Sequence, residues 1–104
     1  MIKEEVLKEN GNILQIRSNG HAGSAAYGKD LICAGVSSIL YGTANALDQM
    51  TGDSDLIEIS DDGMNIRISD SDQTKQIILN TCLIQLQTVE ERFGKNIKIK
   101  ITEV

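Results

Sequence analysis

One histidine and one of two cysteines stand twelve positions apart, at His21 and Cys33. His21 falls where a strand should end, and Cys33 in the first turn of the helix that should follow. Helix starts leave backbone N–H groups without intrahelical partners and carry the positive end of the dipole. A thiol placed there is stabilised as thiolate, which in known cases lowers its pKa to roughly 3.5–7.5. A neighbouring imidazole can take the thiol proton and later give it to a leaving amine. The free N–H groups could stabilise a tetrahedral oxyanion. One strand–loop–helix unit could thus supply nucleophile, base and part of an oxyanion hole. A bland reading stands beside this one. Cys33 shares its angular position with Leu40 and could be a small core residue. His21 could be a loop histidine bonded to a carbonyl. Ser37, one turn after Cys33, either bonds back to a helix carbonyl or lines a site near the thiol. Cys82 falls on the apolar stripe of a second helix and reads as core.

The elements that must position these groups are legible as patterns. Residues 2–8 and 13–18 read as strands joined by Asn10-Gly11, a strong hairpin signal. In the second strand Leu14 and Ile16 should share one face, with Gln15 and Arg17 on the other. Gly20 to Lys29, with three glycines and small residues, reads as a loop rather than an element. A helix over 31–50 follows, with Asp30 as expected N-cap, Gly52 as stop, and Val36, Leu40, Ala44 and Leu47 as its stripe. Strands over 56–60 and 64–69 flank the turn Asp61-Asp62-Gly63. In them Ile57 and Ile59, then Met64, Ile66 and Ile68, alternate with polar neighbours. Asp70 with Gln73 resembles a capping box for a second helix over 71–93. Its expected stripe is Ile78, Cys82, Leu86, Val89 and Phe93. Ile77 and Ile84 lie off it, as scattered surface residues or part of a dimer contact. Gly94 ends the helix, and Ile97, Ile99 and Ile101 alternate with Lys98 and Lys100 in a last strand. The order ββαββαβ predicts an α+β fold in two layers, with two helices packed on one face of a mixed β-sheet. The 104 residues are expected to form a single domain.

Several chemistries are disfavoured. A P-loop pattern runs from Gly23 to Gly28-Lys29, but Asp30 stands where that motif needs Ser or Thr to hold magnesium. One His and one Cys, even with Asp30, fall short of a zinc site. Asp53-Ser54-Asp55 and Asp61-Asp62 lack calcium-loop spacing and read as solvated turns. No metal or cofactor is therefore expected. Fifteen acids against ten bases give a net charge of −5, which opposes a duplex nucleic-acid surface. One Phe and two Tyr are too few for a base-stacking platform. No apolar run is long enough for a membrane span or a secretion signal, so a cytoplasmic location with reduced cysteines is expected.

The segment Gly20-His21-Ala22, then Gly28-Lys29-Asp30-Leu31-Ile32-Cys33-Ala34-Gly35-Val36-Ser37, resembles the bacterial ribosomal-processing cysteine protease family, Prp. That family pattern is Gly-His-Ala, a glycine-rich loop, Gly-x-Asp, two aliphatics, and Cys-Ala-Ala-Val-Ser. Gly35 replaces the second alanine, at a cost of up to ~1 kcal/mol of helix propensity. Outside the segment the resemblance is one of element order and length. It implies a homodimeric endopeptidase with Cys33 as nucleophile and His21 as base. Gly20, Ala22, Gly28, Asp30 and Ser37 would support or bind substrate. The implied substrate is the precursor of large-subunit ribosomal protein number twenty-seven, from which a short N-terminal extension is removed. An extended peptide is expected against the His21–Asp30 loop, whose closure brings His21 to Cys33 and excludes water. Asp30 either fixes the helix start as N-cap or orients His21, and its charge alone would oppose a thiolate. A non-enzymatic protein-binding module and a thiol redox sensor are the alternatives. An acidic surface suits a basic ribosomal substrate by electrostatic steering.

Overall fold

The computed structural model describes residues 1–20, 29–52 and 55–104, with side chains for all of these except 29 and 30. The element order is β1 (Ile2–Glu9), β2 (Asn12–Asn19), α1 (Lys29–Thr51), β3 (Leu56–Ser60), β4 (Gly63–Arg67), α2 (Gln73–Phe93) and β5 (Ile97–Glu103). The strands form a five-stranded sheet in the order β3-β4-β2-β1-β5. Neighbours are antiparallel except β1 and β5, which run parallel. A parallel neighbour needs a long crossover, and the chain between β1 and β5 supplies it. The expected α+β order and mixed sheet are borne out.

One face of the sheet is buried. On β1 the alternation is regular: Ile2, Glu4 and Val6 are buried while Lys3 and Glu5 are exposed. On β2 it is interrupted. The β1–β2 register shifts between Leu7 and Lys8, whose partners are Gln15 and Ile13, leaving Leu14 unpaired. This bulge puts Ile13 and Ile16 both at 0 % exposure, while Leu14 is only half-buried. The expected pairing of Leu14 with Ile16 on the core face is therefore wrong, because one extra residue reverses the pleat. Asn10 and Gly11 turn the hairpin with φ of 51° and 81°, the positive pair a type I′ turn requires.

Both helices cover that face. Val36, Leu40, Ala44 and Leu47 of α1 are buried with Ile32, as their spacing predicts. The helix begins at Lys29, two residues earlier than expected. Asp30 thus lies inside the first turn rather than at the N-cap. At the other end Gly52 N–H closes onto the Asp48 carbonyl at 3.1 Å. In α2 the cap is Asp72, whose carboxylate accepts from Lys75 N–H at 2.8 Å. Asp70 does not cap it, and Gln73 is simply the first helical residue. The buried face is Lys75, Leu79, Cys82, Leu83 and Leu86. It shares Cys82 and Leu86 with the expected stripe but is rotated toward Leu79 and Leu83. Ile78 and Val89 are rim contacts, and Phe93 is 43 % exposed. A lysine at the head of the stripe hides this periodicity from a hydropathy reading. β4 ends at Arg67, short of the expected 69, although Ile68 is still buried.

Polar contacts also tie the layers, among them Ile99 N–H donating to Glu90 Oε2 at 2.7 Å. Gln76 accepts from Ile13 N–H and donates to the Ile13 carbonyl, each at 2.8 Å. It thereby satisfies both backbone groups beside the bulge. Lys75 is fully buried, and its Nζ meets Asp55 Oδ1 at 3.0 Å. Asp55 also accepts from Ser69 N–H at 3.1 Å. Asp55 was expected in a solvated turn. Its side chain is instead 3 % exposed, because it pairs with the buried Lys75 ammonium at the start of α2, which needs a carboxylate. Asp53 and Ser54 lie outside the described residues.

Candidate active site

Cys33 is the fifth residue of α1 and is half-buried against the core. Because the helix starts at Lys29, the thiol stands one turn inside it and not in the first turn. The N–H groups without intrahelical partners belong to the turn that precedes it. Helical Cα–Cβ bonds tilt toward the N-terminus, so the Cys33 side chain leans back toward them. Ser37, exposed, follows one turn later on the same face.

A cleft of about 190 Å³ opens beside the thiol. Cys33, Ser37 and Tyr41 of α1 form one wall. Ser18 and Gly20, at the end of β2, lie below, and Ser60, Asp61 and Asp62 of the β3–β4 turn form the opposite wall. Two glycines allow this convergence. A Cβ on Gly63 would collide with the carbonyl of Ser18, and one on Gly20 with the carbonyl of Met1. Gly20 also has φ 91°, which side-chain-bearing residues rarely adopt. Its N–H donates to the Asp62 carbonyl at 2.9 Å, tying the turn to the strand end from which residue 21 departs.

Of the expected site residues, the structure brings Cys33, Ser37 and Gly20 to one cleft. His21, Ala22 and Gly28 lie outside the described residues, as does the side chain of Asp30. The acidic turn was read as solvated. Asp61 and Asp62 are indeed exposed, yet they also face the thiol across the cleft. Sequence spacing carries no sign of that, because β3 and β4 lie beyond a whole helix from Cys33.

A buried polar pair lies under the cleft. Ser18 donates to Glu4 Oε1 at 2.6 Å, and Glu4 is 0 % exposed. Burial pushes the Glu4 carboxyl up to about 7, against the Ser18 hydrogen bond that favours the anion. Glu4 Oε2 has no hydrogen-bond partner among the described residues. Sequence reasoning passed over Glu4, although its alternation with Ile2 and Val6 marks it as inward. Cys82 is the opposite of a reactive thiol. It is 1 % exposed, and burial, with the nearby Glu4 charge adding and a Thr43 hydrogen bond opposing, pushes it up to about 11. The core reading of Cys82 holds.

An accessible thiol early in a helix, facing a cleft on a small α+β sheet, meets one requirement of a cysteine hydrolase. The family model described as cysteine protease Prp matches residues 1–98. The ribosomal processing cysteine protease Prp of Staphylococcus aureus (strain Mu50) is 34 % identical over 96 residues, covering 89 % of this chain and 91 % of that protein. The Bacillus subtilis (strain 168) protein of the same name is 29 % identical over 94 residues, covering 84 % of each. Among solved structures, the essential ribosomal processing protease Prp of S. aureus, in complex with a covalently linked product peptide, superposes with a TM-score of 0.90. It is 33 % identical, with 98 % of this chain and all of that one covered. The chain belongs to the Prp family of cysteine proteases and is a peptide hydrolase of that class.

Proposed function

We propose that this chain is a single-domain cysteine endopeptidase that removes the N-terminal extension of large-subunit ribosomal protein number twenty-seven, and so serves ribosome assembly in the cytoplasm. Cys33 is the nucleophile and His21 the base. The Cys33 sulfur attacks the scissile carbonyl, and its proton passes to His21. The tetrahedral adduct collapses as the C–N bond breaks, and His21 delivers the proton to the leaving amine. Water, deprotonated by His21, then attacks the thioester and releases the acid with the thiol restored. The reaction as written consumes only peptide and water, with no cofactor. Gly20, Ala22 and Gly28 shape the segment that carries the base. Ser37 lies beside the thiol, and Asp30 serves either the helix start or the imidazole.

The observation that carries this reading is the position of Cys33, half-buried on the wall of a cleft that Ser37, Gly20 and the β3–β4 turn complete. Relatives named for ribosomal processing, one with a peptide product bound covalently, supply the substrate class. The test is cleavage of a peptide spanning the extension junction. Cys33→Ala and His21→Ala abolish turnover, and Cys82→Ser retains it. Turnover that survives in folded Cys33→Ala would overturn the assignment, whereas equal losses in Cys33→Ala and Cys82→Ser would point to a folding defect. A thiol redox sensor would need Cys33 but would cut no peptide.

The protein acts as a homodimer in this reading, without direct nucleic-acid or membrane contact. Ile77 and Ile84 stand 61 % and 62 % exposed on α2, and Met50 is 66 % exposed beside a groove between the helices. Sedimentation at micromolar concentration gives twice the chain mass, and Ile84→Glu reduces it to one; a monomer at every concentration contradicts the dimer.

A further inference from the structure

The backbone of β3 has an unused side, and the register identifies which of its groups face outward. In the β2–β4 pair, Ile68 N–H donates to the Leu14 carbonyl at 3.0 Å and Gly20 N–H to the Asp62 carbonyl at 2.9 Å. Opposed residues in an antiparallel ladder alternate between bonded and non-bonded pairs. Residues 62, 64, 66 and 68 therefore spend their backbone groups on β2. Gly63, Asn65 and Arg67 turn theirs toward β3, where they oppose Ser60, Glu58 and Leu56. The N–H and C=O groups of Ile57 and Ile59 must then point away from β4, at the end of the strand order where no further strand lies among the described residues.

The two edges of the sheet differ. β5 carries exposed Lys98 and Lys100, a common protection against strand addition. β3 has no lysine and no proline, and its register with β4 has no bulge. It leaves Leu56 49 % and Ile59 57 % exposed. It also runs directly into the cleft, because Ser60 and Asp61 line the wall opposite Cys33. An open edge continuous with the cleft suits an extended peptide, which gains main-chain hydrogen bonds by adding as a strand.

We propose that the free edge of β3 binds the substrate peptide as an added strand, bonded to the backbone of Ile57 and Ile59, and feeds it past Ser60 to Cys33. The inference rests on the protease reading. Ile57 and Ile59 are two residues apart, so they engage every second residue of one flank of the peptide. Glu58 and Asp61 place negative charge along this path, which suits a basic substrate.

The test is an N-methyl scan of the peptide spanning the extension junction of the ribosomal protein precursor. Each N-methyl group removes one backbone donor. With the wild-type enzyme, alternate positions on one flank lose about five- to tenfold in kcat/KM, chiefly through KM, and the intervening positions lose little. Ile59→Pro, which removes one outward N–H at an edge position that tolerates proline, raises KM by a similar factor. Ile59→Ala keeps that N–H, so it raises KM by less than Ile59→Pro does. Losses without a two-residue period, or an Ile59→Ala effect as large as that of Ile59→Pro, would overturn the proposal. The scan uses the unaltered enzyme, so it decides even where Ile59→Pro fails to fold. Failure of the wild type to cut the unmodified peptide is a separate result. It would overturn the protease reading, and this inference with it.

Discussion

At the scale of single residues, the polar groups inside the core set the behaviour with pH. Glu4 has an ordinary pKa of 4.5 and is raised to about 7 by burial. The folded protein therefore holds this proton more tightly than the unfolded chain. Stability from this group is fully present below pH 4.5 and is lost as pH rises through 7. A carboxyl raised from 4.5 to about 7 can change stability by at most about 3 kcal/mol. Glu4→Gln is expected to remove that loss. Urea unfolding at pH 5 and pH 8.5 should show a smaller drop for the variant than for the wild type; parallel drops would contradict the assignment. Lys75 answers to a different rule. With Asp55 it forms a buried pair at 3.0 Å, and removing one partner strands the other's charge. Lys75→Ala should cost about 3–5 kcal/mol. A loss below 1 kcal/mol by denaturant titration would show that water reaches Asp55. Neither residue stands out in the sequence as a core group. Alternation along β1 points Glu4 inward, whereas Lys75 needs Asp55, twenty residues away, to justify its burial.

At the scale of elements, patterning places all five strands and both helices, because one buried face imposes a period of two or 3.6 on the side chains. What patterning misses are offsets of one or two residues. The β2 bulge exchanges Ile13 for Leu14 on the core face without altering the hydrophobic count. Asp70 was the expected cap of α2, and Asp72, two residues later, takes that place. The bulge and the start of α2 are coupled through Gln76, whose amide serves both backbone groups of Ile13. Gln76→Ala leaves those groups without a protein partner and should destabilise by about 1–3 kcal/mol. Hydrogen exchange checks the cause: the Ile13 amide should lose protection before the rest of β2. Uniform loss along the sheet would make the effect global rather than local to the bulge.

At the scale of the whole molecule, the site is assembled from segments far apart in sequence. Cys33 and its serine neighbour, Ser37, were legible because motif and helix spacing lie in one continuous stretch. The opposite wall, Ser60 to Asp62, was not. It reaches Cys33 only because β4 pairs with β2, and Gly63 and Gly20 let those backbones close up. The same topology leaves two thiols in contrasting surroundings, one on a cleft wall and one sealed in the core. Alkylation of the folded protein, followed by intact mass and peptide-cleavage rate on one sample, compares them directly. One alkyl group at Cys33, with activity falling in proportion and Cys82 unmodified until unfolding, is the predicted result. Full cleavage activity after complete modification of Cys33 would contradict the account.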